Sequence, residues 1–274
     1  MRILIVTKDS TEIEEALRIS AQITQKADKR DIQLVIVAYL KRSKSSETKA
    51  FLSNIEKKIS DHGLEAEVHI GLSLPDIIRE VKKEKYDLVM MVESCRQGVD
   101  SGLRGSLPLQ IEKNVPSSVL ILQGSCAPID RVLLCDSGAE SFQSVMDFTT
   151  RLLSLLPGDH DITVLHVMSQ ISAGPGVRGN QLRAEAEEMI EKQTPEGRLL
   201  QHDLEELDQP GLHSIPKVRH GLVVEEIIAE TNSGDYDLVV IGAHQQEGWQ
   251  RFLLENIAQK IIKKIDRSVL VVKT

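Results

Sequence analysis

Three segments of the first half of the chain return in the second half, each 150 positions later. The pairs are GLSLPDII at Gly71 with GLVVEEII at Gly221, YDLVM at Tyr86 with YDLVV at Tyr236, and SVLIL at Ser118 with SVLVV at Ser268. Solenoid repeats have periods of roughly 20 to 50 residues, so this much longer period indicates two whole domains of one fold. A residue present in both copies is expected to serve the shared fold, whereas a residue present in one copy is a candidate for a site.

Length and composition suit two globular domains. The chain has 274 residues, 41% of them hydrophobic and 27% charged, and no apolar run approaches the roughly 20 residues that cross a bilayer. The apolar opening of the chain meets Lys8 and Asp9 before the core of a signal peptide could form. We therefore expect a cytoplasmic protein, with a first domain over residues 1–125 and a second over residues 129–274.

Charge and cysteine content argue against several classes of function. A net charge of −8 argues against broad attraction to nucleic acid or to a membrane surface, because phosphates attract clusters of Lys and Arg. The three cysteines, Cys95, Cys126 and Cys135, are too few and too irregularly spaced for a disulfide framework or a metal site. We expect no metal, no nucleic acid and no membrane among the binding partners.

Strand and helix patterns alternate along both copies. In the first copy, apolar runs predict strands at residues 3–6, 32–40, 65–70, 87–92 and 118–122, with helical patterns between them. Strands that alternate with helices need right-handed crossovers, which place helices on both faces of a parallel sheet. The predicted fold class is α/β, with two tandem five-stranded parallel-sheet domains.

The second copy carries an insertion between its second strand and the shared glycine. The spacing between the copies grows from 130 positions at Ile32 and Ile162 to 150 positions at Gly71 and Gly221. The extra residues fall at about 168–207, in a loop rich in Gly and Pro followed by an acidic helical stretch. We expect this insertion to cover the second pocket or to meet a partner.

Ligand sites in open parallel sheets form where the loops after the first and fourth strands meet. These loops are predicted at residues 8–10 and 93–106 in the first copy, and at residues 136–138 and 243–256 in the second. The longer first-copy loop ends in Arg104, Gly105 and Ser106 at a predicted helix start. Backbone N–H groups at such a helix start can hold a phosphate.

One family combines these features in the same order. The sequence YDLV, a loop of small residues, GSLPLQIEKNVP from Gly105 and SVLIL from Ser118 resembles the C-terminal half of universal stress protein domains. Both copies share the resemblance, which therefore covers almost the whole chain as a tandem protein. It implies Rossmann-like sheets related to the nucleotide-binding α-hydrolase folds, with the two fifth strands near the centre of an intrachain pseudo-dimer.

The resemblance also implies a nucleotide motif, of which the first copy keeps only the phosphate-side end. The motif reads Gly, two residues, Gly, nine residues, and Gly followed by Ser or Thr, and the first copy has Val92, Cys95 and Gly105–Ser106 there. Side chains at the first two positions stand where the family's backbone comes closest to the ligand. Lys8 stands where the family usually has Asp, with Asp9 one place later. The first-copy residues that the resemblance implies for nucleotide binding are Asp9, Arg104, Gly105 and Ser106.

The second copy keeps a different part of the motif. It has Gly242, Gln245 and Glu255–Asn256 at the same positions. Glu255 would repel a triphosphate by about 1 kcal/mol in water and by several kcal/mol in a partly buried site. Asp136 matches the family's acidic position, so Asp136 and Gly242 are the binding candidates of this copy.

Several polar residues are better explained by the fold than by a site. Tyr86 and Tyr236 occur in both copies and are expected to pack at a helix-to-strand corner. Asp87 and Asp237 open a strand at the end of the sheet opposite to the ligand edge, and are expected to be turn residues. His166 takes the place of Ile36 within a strand, which favours a buried, hydrogen-bonded imidazole over a ligand.

The resemblance implies a stress-response or regulatory protein without catalytic turnover. One open possibility is a nucleotide-responsive module that binds an adenine nucleotide in the first copy, with ATP as the leading candidate. The other is an interaction scaffold that meets a protein partner or forms a homodimer. Slow ATP hydrolysis would require the first of these. The sequence has no nucleophile elbow, no Walker loop and no paired metal ligands, so catalysis is the weaker class.

Overall fold

The computed structural model describes residues 1–8, 10, 12–27, 31–39, 45–71, 73–93, 106–123, 128–136, 142–168, 186–243 and 249–274. The first half contains β1 (Arg2–Thr7), α1 (Glu14–Lys26), β2 (Gln33–Tyr39), α2 (Ser45–Asp61), β3 (Glu67–Gly71), α3 (Leu74–Glu84), β4 (Leu88–Glu93), α4 (Leu107–Asn114) and β5 (Ser118–Gln123). The second half contains β6 (Arg131–Asp136), α5 (Phe142–Ser154), β7 (His160–Met168), α6 (Ala186–Glu191), α7 (Pro195–Glu206), β8 (Leu212–His220), α8 (Val223–Ser233), β9 (Leu238–Ala243), α9 (Trp249–Lys264) and β10 (Ser268–Lys273).

The chain forms two compact units. The first consists of Met1–Cys126, Leu155–Pro157 and Ser268–Lys273, and the second of Ala127–Ser154, Gly158–Arg267 and Thr274. The last strand, β10, thus lies with the first unit, whereas the sequence division at residues 125 and 129 assigned it to the second domain. A strand can change units in this way when its edge pairing lies with the other half of the chain.

The strand order confirms the predicted fold class. In the first unit the order is β3-β2-β1-β4-β5-β10, and the second unit contains the run β9-β6-β7-β8. Every neighbouring pair within the units is parallel except β5 and β10. The central strand β1 is buried from Ile3 to Thr7, as expected where helices cover both faces of a parallel sheet. None of the helices in the described ranges combines the length and apolar character that a bilayer crossing needs.

The two fifth strands, β5 and β10, pair antiparallel within the first unit. Leu120 lies opposite Leu270, its own repeat equivalent, so the strand pair has a local twofold relation. The hydroxyl of Ser268 accepts a hydrogen bond from the Gln123 amide, and that of Ser118 accepts one from the Lys273 amide, both at 3.3 Å. The prediction that the two fifth strands lie together is confirmed.

The corner residues shared by the two copies serve the fold, as expected. The Asp87 carboxylate accepts a hydrogen bond from the Arg2 amide at 2.6 Å, and the Asp237 carboxylate accepts one from the Arg131 amide at 2.8 Å. Each Asp therefore ties the start of its strand to the start of the unit's first strand. The tyrosines also act alike, because Tyr86 donates to Glu80 and Tyr236 donates to Glu230.

The described part of the insertion is the helix pair α6 and α7. Thr194 caps α7 by accepting a hydrogen bond from the Gly197 amide at 3.0 Å. A Cβ added at Gly197 would lie 2.0 Å from the Met189 carbonyl oxygen. The two helices therefore meet backbone to backbone at this glycine, and α7 packs in turn against β7 and β8.

We predict that Gly197→Ala destabilises the protein by about 1–3 kcal/mol, because the obstructing atoms belong to backbone and cannot rotate away. Urea unfolding followed by circular dichroism measures the change. Arg198→Ala, at an exposed position of the same helix, is the control and should shift the unfolding free energy by no more than about 0.5 kcal/mol. Equal effects of the two substitutions would contradict the close helix contact.

Candidate functional site

The carboxyl ends of β6 and β7 in the second unit carry a carboxylate–imidazole pair with little exposed side-chain surface. Asp136 is the last residue of β6 and lies opposite His166 in the parallel pairing with β7. His166 Nδ1 donates a hydrogen bond to Asp136 Oδ2 at 2.7 Å, and the two side chains are 14% and 2% exposed. The imidazole therefore satisfies the carboxylate that the resemblance assigns to the nucleoside. The predicted hydrogen bond of His166 is present, and the residue is half-buried.

The insertion adds a second acid to this pair. Asp203, on α7, has a side chain only 9% exposed, and its carboxylate lies 3.9 Å from His202 Nδ1. Burial first, and the negative charge of Asp136 second, raise the pKa of Asp203 to about 7 against the opposing effects of His202 and His166. Asp136, His166 and Asp203 form what we call the acid–histidine cluster.

The histidine of this cluster favours its charged form. Burial alone would lower the pKa of His166, because a low-dielectric environment disfavours the imidazolium. The hydrogen bond and charge of Asp136, together with the charges of Glu196 and Asp203, outweigh this effect and raise the pKa above its ordinary value. Three acids therefore favour the protonated imidazole: Asp136, and Asp203 and Glu196 of the insertion.

The strand register shows that the cluster occurs in one copy. Ile3 pairs with Leu88 as Val132 pairs with Leu238, which aligns β1 with β6. In this alignment Thr7 is the counterpart of Asp136, and the residue paired with it, Ala38, is the counterpart of His166. The sequence comparison had assigned these counterparts to Lys8 and Ile36, and both assignments were wrong by one or two positions. The spacing between the copies here is not the 150 positions found further along the chain.

Gly242 has a packing role. A Cβ at Gly242 would lie 2.9 Å from Val145 Cγ2 on α5. The first copy has Val92 at the matching strand position and Ala16 at the matching helix position. The larger residue therefore lies on the strand in the first copy and on the helix in the second. Close packing of strand and helix is therefore sufficient to require a glycine here.

The phosphate end of the motif is helical in the second copy. The sequence predicted a loop over residues 243–256, but α9 begins at Trp249, so Glu255 and Asn256 lie inside a helix. This prediction was wrong for residues 249–256. Only the first four N–H groups of a helix lack a partner within it, and these two residues lie beyond them. Their backbone is therefore not available to cradle a phosphate in the way that a helix N-terminus does.

The corresponding edge of the first unit carries different residues. Ser106 is the N-cap residue of α4, and its hydroxyl makes no capping hydrogen bond to the helix. At the end of β4, burial raises the pKa of Glu93, which the charge of Lys8 opposes and that of Glu12 assists. The other first-copy candidates are Asp9, Arg104 and Gly105, and they lie outside the described residues.

Asp203 is the site residue that sequence reasoning missed. It stands in an acidic helix, and the pattern of charges does not show which carboxylate faces inward. Its burial depends on the packing of α7 against β7 and β8. Among the residues that the structure describes, no group of three or more metal-ligating side chains could hold an ion.

Comparisons with known proteins agree with this architecture. The sequence model of the universal stress protein family matches residues 128–273. A universal stress protein from Archaeoglobus fulgidus superposes with a TM-score of 0.65 at 16% identity, over 99% of this chain and 96% of its own. A protein of unknown function from Pseudomonas aeruginosa superposes with a TM-score of 0.68 at 17% identity, over 99% of this chain and 92% of its own. At these identities the structural likeness shows the fold. No curated protein matches the chain.

The acid–histidine cluster predicts a stability that falls as the pH rises. The folded protein keeps a proton on Asp203 up to about pH 7, whereas the unfolded chain releases it near the ordinary value of 3.8. The raised pKa of His166 acts in the same direction, because its stabilising charge is lost as the pH rises through the folded value.

We expect Asp203→Asn to flatten this dependence by on the order of 1 kcal/mol between pH 5.5 and pH 8.5, since Asn cannot lose a proton. The measurement is the urea unfolding free energy at both pH values. Asp208→Asn, at an exposed position just after α7, is the matched control and should follow the wild type. If the unfolding free energy of Asp203→Asn falls with pH as steeply as that of the wild type, the titration assigned to Asp203 is refuted.

Proposed function

Because the chain belongs to the universal stress protein family, we propose that it is a cytoplasmic regulatory protein without turnover, in which the second domain has closed its own ligand edge. The observation that carries this proposal is the pairing of Asp136 with His166. Asp136 is the second-domain match to the family's nucleoside-facing acid, and its side chain is 2% exposed and bonded to the imidazole at 2.7 Å. A nucleoside that used the Asp136 carboxylate would have to displace the hydrogen-bonded imidazole of His166.

The surroundings of this pair reinforce the closure. Asp203 of α7 adds a second acid beside Asp136, and because its pKa is about 7, a polyanion entering this edge would meet its negative charge above that pH. At the distance of neighbouring groups, such repulsion costs about 1 kcal/mol in water and several in a partly buried site. The helical backbone at Glu255 and Asn256 supplies no compensating N–H groups.

A regulator of this kind acts through its surfaces. In its simplest form the protein is an interaction scaffold for a protein partner or for a second copy of the chain. The insertion supports this form, because it gives the second domain a helix pair, α6 and α7, at the position where the first has a single helix, α2.

A second candidate is a nucleotide-responsive regulator that binds ATP in the first domain alone. The observation that favours it is Ser106, whose hydroxyl is not used to cap α4 and which precedes a first turn without acidic residues. Asp9, Arg104 and Gly105 would complete the site by the family pattern. The Ser106 hydroxyl would then bind the phosphates together with backbone N–H groups of the loop.

Isothermal titration with Mg-ATP distinguishes the domains. We expect at most one ATP per chain, and any binding should be abolished by Gly105→Asp, which places a carboxylate at the phosphate end of the motif. The matched control is Glu255→Asp at the repeat-equivalent position, which should leave the isotherm unchanged. Two ATP molecules per chain, or a single site that survives Gly105→Asp, would contradict the closed second domain. No heat at all would leave the scaffold form as the function.

Turnover is tested separately by the release of inorganic phosphate from ATP. We expect no multiple-turnover release above the rate without protein. Release that is sustained in the wild type and lost in Gly105→Asp would overturn the proposal of a protein without turnover, because contaminating activity would not respond to that substitution.

A further inference from the structure

A buried ion pair joins the last strand of the chain to α4 within the first compact unit. Lys273, at the end of β10, lies 2.6 Å from Glu112 of α4, measured from Nζ to Oε1. The two side chains are 7% and 0% exposed. Burying a charge is costly unless an opposite charge accompanies it, so each of these residues needs the other.

The repeat shows that this pair is asymmetric. The position 150 residues after Glu112 is Ile262, and the position 150 residues before Lys273 is Gln123. The rest of the strand pair is symmetric, because Leu120 lies opposite Leu270 and the serines at 118 and 268 make matching hydrogen bonds. The acid thus occurs in the first copy alone, and the base in the second alone.

The strands themselves would not distinguish the correct partner from a second copy. Their interiors are Val-Leu-Ile-Leu in β5 and Val-Leu-Val-Val in β10, and all eight of these residues are buried. Apolar strands of such similar shape and equal register are also able to pair with themselves. A buried acid in one copy, matched by a base in the other copy alone, distinguishes the native strand pair from a pair of identical strands.

We propose that Glu112 and Lys273 determine the pairing specificity of this surface, so that β5 accepts β10 and rejects β5 of a second copy of the chain. In a β5·β5 pair with the same register, Gln123 would stand in place of Lys273. Two buried Glu112 carboxylates would then lack a cation. In a β10·β10 pair, two Lys273 ammonium groups would stand where the acid is replaced by Ile262. This proposal does not depend on nucleotide binding.

The hydrogen bonding of Glu112 supports its dependence on Lys273. Its second carboxylate oxygen, Oε2, is buried and has no hydrogen-bond partner in the described part of the chain. Its first, Oε1, is the acceptor for Lys273. Removing the Lys273 ammonium therefore leaves the buried Glu112 carboxylate without a compensating cation. A β5·β5 pair would incur this free-energy cost twice, once for each copy of Glu112.

The test uses full-length chains in which Cys95, Cys126 and Cys135 are replaced by Ala and Leu120→Cys is introduced. Leu120 faces Leu270 in the native pairing, and in a β5·β5 pair it would face the same residue of the other copy. A covalent dimer under mild oxidation therefore reports β5·β5 pairing. Three backgrounds are compared: the native ion pair, the double substitution Glu112→Ile with Lys273→Gln, and Lys113→Gln, which removes an exposed neighbouring charge.

We expect disulfide-linked dimer in the double-substituted background at no less than about tenfold the yield of the other two, with light scattering showing a concentration-dependent mass increase. Similar yields in all three backgrounds, whether high or low, would overturn the proposal. The single substitution Lys273→Gln should lower the folding equilibrium constant by at least about 100-fold, and adding Glu112→Ile should recover most of this loss. Failure of the second substitution to recover stability would likewise contradict the role of the unpaired carboxylate.

Discussion

A buried carboxylate requires a nearby cation or a proton, because an unpaired charge in an apolar interior costs several kcal/mol. Among the described residues, four acids have nearly inaccessible side chains, and each meets the requirement in its own way. Glu112 pairs with Lys273, Asp136 with His166, Glu230 with Lys217 and Arg219, and Asp203 keeps its proton up to about pH 7. The positions of these partners constrain where the strands and helices around them can lie.

The two copies share an apolar frame and differ mainly in these buried charges. The frame repeats to the level of single hydrogen bonds, as in the Tyr86–Glu80 and Tyr236–Glu230 contacts. In contrast, Asp136 of the second copy corresponds to Thr7 of the first, and His166 forms a hydrogen bond with it. Duplication permits such divergence, because one copy can retain a binding surface while the other stabilises itself with groups that would otherwise meet a ligand.

Much of the fold could be predicted from the sequence, whereas the candidate site could be predicted only in part. The alternation of apolar runs and helical patterns predicted parallel α/β sheets, and the resemblance to universal stress proteins implied that β5 and β10 lie together. Asp136 was recognised as a site position, but its partner was not, because the spacing between the copies changes along the chain. The helix over residues 249–256 was taken for a loop, since the family pattern suggested a small-residue turn there.

The sequence by itself determined the duplicated α/β architecture, because hydrophobic periodicity and a long repeat are properties of the chain that need no contact between distant residues. Only the tertiary structure decided which charges are buried and which of them meet. Asp203 and His166 are 37 positions apart in the sequence, and Glu112 and Lys273 are 161 apart. A charged residue in a helix can face water or the interior, and only the packing of that helix against its neighbours selects one of the two.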